Sequence, residues 1–204
     1  MSQPAARGLF HICARQFSYF SLLCVVTRAR WYICLIRKPG ASRNMPTFLK
    51  SDIARSQLET AVDIFLKGLS YHAVITLAGA ASGILDGLLL AASKEPFVDY
   101  ARRVHAGLQG QMPGRVKAAH YIEQRFGISA HKHLHETDTD TVELDLERQA
   151  TNALTKAIGD YIALNGQEEP FVKAFLQWSW VTMDGQALMK KYAEVPPKMR
   201  PKTE

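Results

Sequence analysis

Between residues 51 and 192, apolar residues recur at spacings of three and four in segment after segment, and no stretch reads as a strand. That period is the period of a helix face, so it confines the chain to all-α architectures. The first such segment follows Ser51, with Leu58, Val62, Phe65, Leu66 and Leu69 on one face. Ser51 is its expected N-cap, Asp52 suits the positive end of the helix dipole, and Gly68 is its stop. Ser70 is expected to cap the second helix, whose broad face runs Val74, Leu77, Ala78, Ala81, Ile84, Leu85, Leu88, Leu89. Residues 78–83 of this helix are all small (AGAASG). Gly79 and Gly83 each cost about 1 kcal/mol of helix propensity relative to Ala, which close approach of another helix would offset. The second helix is therefore expected to be central.

Pro96 opens a short third helix, which Gly110 and Pro113 break. A fourth runs from Pro113 to Gly127. Asp138 or Asp140 is expected to cap a long fifth helix, which carries Leu146, Ala150, Ala153, Ala157, Tyr161 and Leu164 on one face and ends at Asn165-Gly166. The sixth runs from Pro170 to Tyr192, with Phe171, Ala174, Phe175 and Trp178 as a core stripe. The expectation is a bundle of five to six helices over 45–192, followed by a Pro-rich, charged tail at 193–204 that reads as disordered. There is no glycine-rich phosphate loop, no GxSxG and no internal repeat.

Charge divides the chain. Residues 1–44 hold seven of its 25 Lys and Arg and none of its 19 Asp and Glu; 45–204 keeps 18 against 19, a net charge of −1. The basic excess belongs to the N-terminal segment, and the body offers no overall electrostatic argument for nucleic acid. Cys13, Cys24 and Cys34 also precede residue 45, so the body has neither disulfides nor thiolate metal sites. A cysteine-free body fits a reducing compartment, and a cytoplasmic location is expected. The longest uncharged run of the N-terminal segment, residues 16–27, has 12 residues against the roughly 20 that a membrane span needs. Three readings stand: a start that belongs at Met45, a targeting or membrane-surface segment, and an ordered extension. No membrane association is expected of 45–204.

Chemistry-bearing residues gather in one break between helices, RFGISAHKHLHETDTD, residues 125–140. His131, His133 and His135 alternate there beside Glu136, Asp138 and Asp140, with His120 one helix upstream. His-x-His-x-His is a candidate nitrogen ligand set for zinc or nickel, provided the segment is extended; the helical His-Glu-x-x-His spacing is absent. Arg125 and His131 are a candidate pair for metal-independent RNA cleavage. The arginine would neutralise phosphate and the histidine would transfer a proton, with His133 assisting. The plain alternative is a polar connection between two helical halves. His72, in the first turn of the second helix, is expected at the surface.

The helix pair RSQLETAVDIFLKGLSYHAVITLAGAASGILDGLL, with its Gly68-Leu69-Ser70-Tyr71 turn, resembles the opening of HEPN-type domains. The chain also resembles a group of bacterial helical proteins with an LAGAA-type helix and an Asn-Phe-Phe-Lys-His-Ala-Asp-like stretch before a long helix. Here residues 131–136 take that place. The resemblance spans roughly residues 51–180. It implies an HEPN-like fold, a homodimer through the small-residue or aromatic faces, and an Arg-x4–6-His pair, which Arg125 and His131 match in spacing. Phe126 stands where the family places a polar residue after the arginine. Because the body carries −1 and the Arg/His motif departs from the family's pattern, the expected function is a non-catalytic module contacting a protein partner or RNA, without a cofactor. A metal-independent ribonuclease and metal binding by the histidine loop are the alternatives.

Overall fold

The computed structural model describes residues 45–132 and 141–202. The chain divides into two units at residues 46 and 47, and the second is described here. It contains eight α-helices among the described residues: α1 (Lys50–Leu66), α2 (Tyr71–Ala91), α3 (Phe97–Gln109), α4 (Arg115–Arg125), α5 (Ile128–Lys132), α6 (Leu146–Asn165), α7 (Pro170–Thr182) and α8 (Gly185–Glu194). A single 3-10 turn, Pro197–Met199, follows, and the described residues hold no strand. The fold class is all-α, as the periodicity requires.

Helix α2 is the hub. Its two largest contacts are with α1 and α6, and α5 lies on it as well. Val74, Ala78, Ala81 and Leu85 of α2 are fully buried in one cluster with Leu58 and Ala61 of α1 and Ala153, Leu154 and Ala157 of α6. Tyr71–Ala91 is the one described helix long and apolar enough to cross a membrane, and its packing as the central helix accounts for that apolarity. The small-residue run works at one glycine and not the other. A Cβ on Gly79 would stand 2.7 Å from Ile128 Cγ2, whereas Gly83 is exposed with nothing near it. Helix α7 closes the bundle through rings: Phe65 of α1 meets Trp178 edge-on at 4.7 Å between centroids and Phe175 at 6.1 Å. Arg55 of α1 forms a two-point pair with Glu169 at the start of α7, at 3.0 and 2.9 Å.

Several expectations are corrected by local detail. Ser51 lies inside α1; Leu49 precedes the helix, with no side-chain cap. Leu66 and Leu69 are exposed rather than core, and so is Ala174. Ser70 does cap α2, its hydroxyl accepting from the Ala73 N–H at 3.3 Å. Asp138 and Asp140 lie outside the described residues, and the cap of α6 is Asp145, which accepts from the Arg148 N–H at 3.3 Å. The expected sixth helix is two helices. Asp184 adopts φ +51 and caps α8, and a Cβ on Gly185 would collide with the Trp180 ring at 2.1 Å. The glycine thus lets the tryptophan cover the joint. Residues 193–202, read from composition as a disordered tail, carry the 3-10 turn. Arg103 of α3 grips it by donating to the carbonyls of Lys198 and Arg200.

Candidate functional site

Arg125 is the last residue of α4 and is exposed, its side chain making no hydrogen bond or ion pair with any described residue. The chain then reverses through Phe126 and Gly127, the glycine at φ +71, a conformation that L side chains rarely adopt. Five residues of α5 follow, and these place His131. Ile128, buried against Gly79, pins this short helix to α2. Arg125 and His131 therefore sit on separate helices joined by a sharp reversal.

The structure brings His131 to a residue that sequence spacing does not connect to it. His131 Nε2 lies 2.9 Å from Nδ1 of His72, 59 positions away in the first turn of α2. The rings are 5.2 Å apart at a 42° tilt. His131 Nδ1 lies 2.7 Å from the Gly127 carbonyl oxygen, which can only accept. His131 Nδ1 therefore donates. With His131 neutral, its Nε2 accepts from His72 Nδ1–H, which leaves His72 Nε2 as a lone pair on an exposed ring. His133 and His135 lie outside the described residues. Among the described residues no three His, Cys, Asp or Glu are grouped to hold a metal ion. His120 is exposed on α4.

A second polar cluster was not foreseen. Lys156 of α6 is buried and donates to Ser82 of α2 and, at 3.1 Å, to Asp160 one turn along its own helix. Asp160 also accepts from the Phe97 N–H at 2.7 Å, tying the start of α3 to α6. Burial pushes the Asp160 carboxyl above its ordinary range, against the opposing pull of the Lys156 ammonium. Beside it runs a more exposed lattice. Arg115 reaches both oxygens of Asp86 at 2.6 and 2.8 Å and Asp99 at 3.1 Å, and Asp99 also takes Arg102 at 2.6 Å. Burial works to raise the Asp99 carboxyl, but hydrogen bonds from Arg102 and Arg115 outweigh it and hold the group below its ordinary range. In sequence Lys156 and Asp160 look like an ordinary solvated i,i+4 pair; only Ser82 and Phe97, from other helices, make the pair a core feature.

The α2–α3 junction opens onto a cavity of about 530 Å³ lined by both signs of charge, including Lys94, Glu95, Asp99 and Lys202. The two faces expected to carry a dimer are used inside the chain. Ala78, Gly79, Ala81 and Ser82 are buried in the bundle, and Phe171 and Phe175 pack into its core. No protein-family model, no curated protein and no solved structure matches the chain.

Proposed function

We propose that the described helical unit is a non-catalytic module that binds a partner, on an HEPN-like scaffold. The observation that supports this is the state of His131. Both its ring nitrogens are engaged within the fold, by Gly127 and by His72, so the residue positions α5 against α2 and presents no free nitrogen to a substrate. Arg125 stands on the other side of a helix reversal, so no preformed acid–base pair accompanies it. Self-association would use surfaces other than the small-residue and aromatic faces already covered.

The test uses the full chain and its Arg125→Ala/His131→Ala variant, each shown to be folded by circular dichroism and then incubated with mixed RNA in EDTA. The expected outcome is no cleavage by either. Cleavage by the parent that the double variant loses would contradict the reading.

One observation favours the ribonuclease alternative. The His131 contact leaves His72 Nε2 free and exposed, the arrangement of a base oriented by a second imidazole. If RNA were cut, His72→Ala would then abolish cutting as fully as His131→Ala. Metal binding by the histidine loop is the third proposal, and elemental analysis of the untagged protein tests it.

A further inference from the structure

Helices α3 and α4 face each other across a cleft of about 630 Å³, closed at one end by the 110–114 turn. Pockets of this size suit a small organic ligand. Helix α3 contributes Ala101, Arg102 and His105; α4 contributes Lys117, Ala118, Tyr121 and Ile122, a three-and-four spacing that turns one face toward the gap. No carboxylate lines the cleft, although the body as a whole carries −1.

Arg102 is fixed for recognition. Its Nε donates to the Pro113 carbonyl at 2.8 Å and one terminal nitrogen donates to Asp99 at 2.6 Å, while the other, Nη2, has no partner among the described residues. A guanidinium anchored at two nitrogens has little freedom left to lose when the third meets an acceptor. Lys117 is exposed and has no ion pair among the described residues. Asp86 and Asp99 balance Arg102 and Arg115, so Lys117 is the uncompensated cation of the site. One charge matches a carboxylate; a phosphate monoester brings about 1.5 to 2 negative charges at neutral pH and would leave an excess. His105 and Gln111 are the other polar side chains of the lining, and the rest is mostly apolar. Ile122, Ala118 and Ala101 form the sides, Met112 overhangs at 54% exposure, and Tyr121, 65% exposed, offers a ring face.

We infer that the α3–α4 cleft is a binding site for a small monocarboxylate with an aromatic body, its carboxylate between Arg102 and Lys117 and its ring against Tyr121. The inference goes beyond the binding-module reading and is independent of it, since either functional class can hold such a cleft and RNA cleavage neither supports nor weakens it.

The test titrates the isotopically labelled full chain with benzoate, 3-phenylpropionate and indole-3-acetate, and with the amide and amine analogues of each, following backbone amide shifts. At least one acid should shift residues of 101–122 saturably, bind more tightly than its amide, and leave its amine counterpart without effect. Lys117→Ala, at an exposed position that folding does not need, should weaken that acid about fivefold and leave the amide unchanged. Lys117→Glu should abolish binding of the acid. Equal binding of acid and amide, indifference to both Lys117 substitutions, shifts centred elsewhere, or no saturable shift across the panel would each overturn the proposal.

Discussion

The two sides of α2 are held by different physics. Toward α1 and α6 the contact is mainly apolar, built on fully buried Leu58, Ala61, Ala78, Leu85, Leu154 and Ala157, with the buried Lys156–Ser82 contact as its polar exception. Toward α3 and α4 the apolar anchors are few: Val98 is the one buried side chain of α3 and Ile122 that of α4. Carboxylate–guanidinium contacts supply the rest, with Asp86, Asp99, Arg102 and Arg115 in one lattice and Arg103 holding Glu95 and the 3-10 turn. Apolar packing is not weakened by added NaCl and responds little to pH, whereas partly exposed ion pairs are weakened by salt and respond to pH. The difference teaches where this molecule can move. The bundle of α1, α2, α6 and α7 is the rigid frame, and the α3–α4 arm, which carries the cleft, opens at lower cost.

The largest expected effect comes from the knot that joins the two regions. Lys156→Ala would leave Asp160 buried beside Phe97 without its cation, costing about 3–5 kcal/mol in urea unfolding. Lys156→Met with Asp160→Leu should restore most of that loss, because an apolar pair of similar volume needs no desolvation. A double variant as unstable as Lys156→Ala would mean that the knot specifies the arm rather than merely tolerating its own burial.

Acid should separate the two carboxylates by sign. Asp99 has a lowered folded value, so its contribution is present above 3.8 and is lost as pH falls through that folded value. Asp160 has a raised folded value, so its contribution is present below 3.8 and is lost as pH rises through the folded value. Urea midpoints between pH 3 and 7 should therefore show the parent's advantage over Asp99→Asn shrinking toward acid. The difference from Asp160→Asn should move the opposite way. Parallel trends would contradict the assignment of the two environments.

The smallest effect sharpens the frame itself. Ser70→Ala removes the hydroxyl that caps α2 and should cost about 1 kcal/mol, while Ser51→Ala, one position inside α1, should stay within about 0.5 kcal/mol. The two serines look alike in sequence, which shows how far a local reading reaches. The stripes of α1, α2, α6 and α7 were legible because burial of one helix face writes its own period into the chain. The stops at Gly68, Gly110, Gly127 and Gly166 were legible because each takes a positive φ. The break at Asp184-Gly185 was hidden by an apolar pattern that continues across it, although the Asp-Gly pair was a turn signal. The five residues of α5 are too few to show a period. Nothing local could reveal that His72 meets His131, that Lys156 finds Ser82, or that Arg102 and Lys117 share a cleft. Those pairings exist only once α2, α5, α6 and the α3–α4 arm are assembled.

Native-state amide exchange at low and high salt tests the contrast between frame and arm most directly. In 1 M NaCl, where screening acts within about 3 Å, residues 97–125 should exchange markedly faster while 58–65, 74–89 and 150–161 keep their protection. Arg115→Ala should reproduce that selective loss at low salt. Equal protection of both regions, unchanged by salt and by the substitution, would contradict the account, because the arm would then belong to one cooperative unit with the bundle.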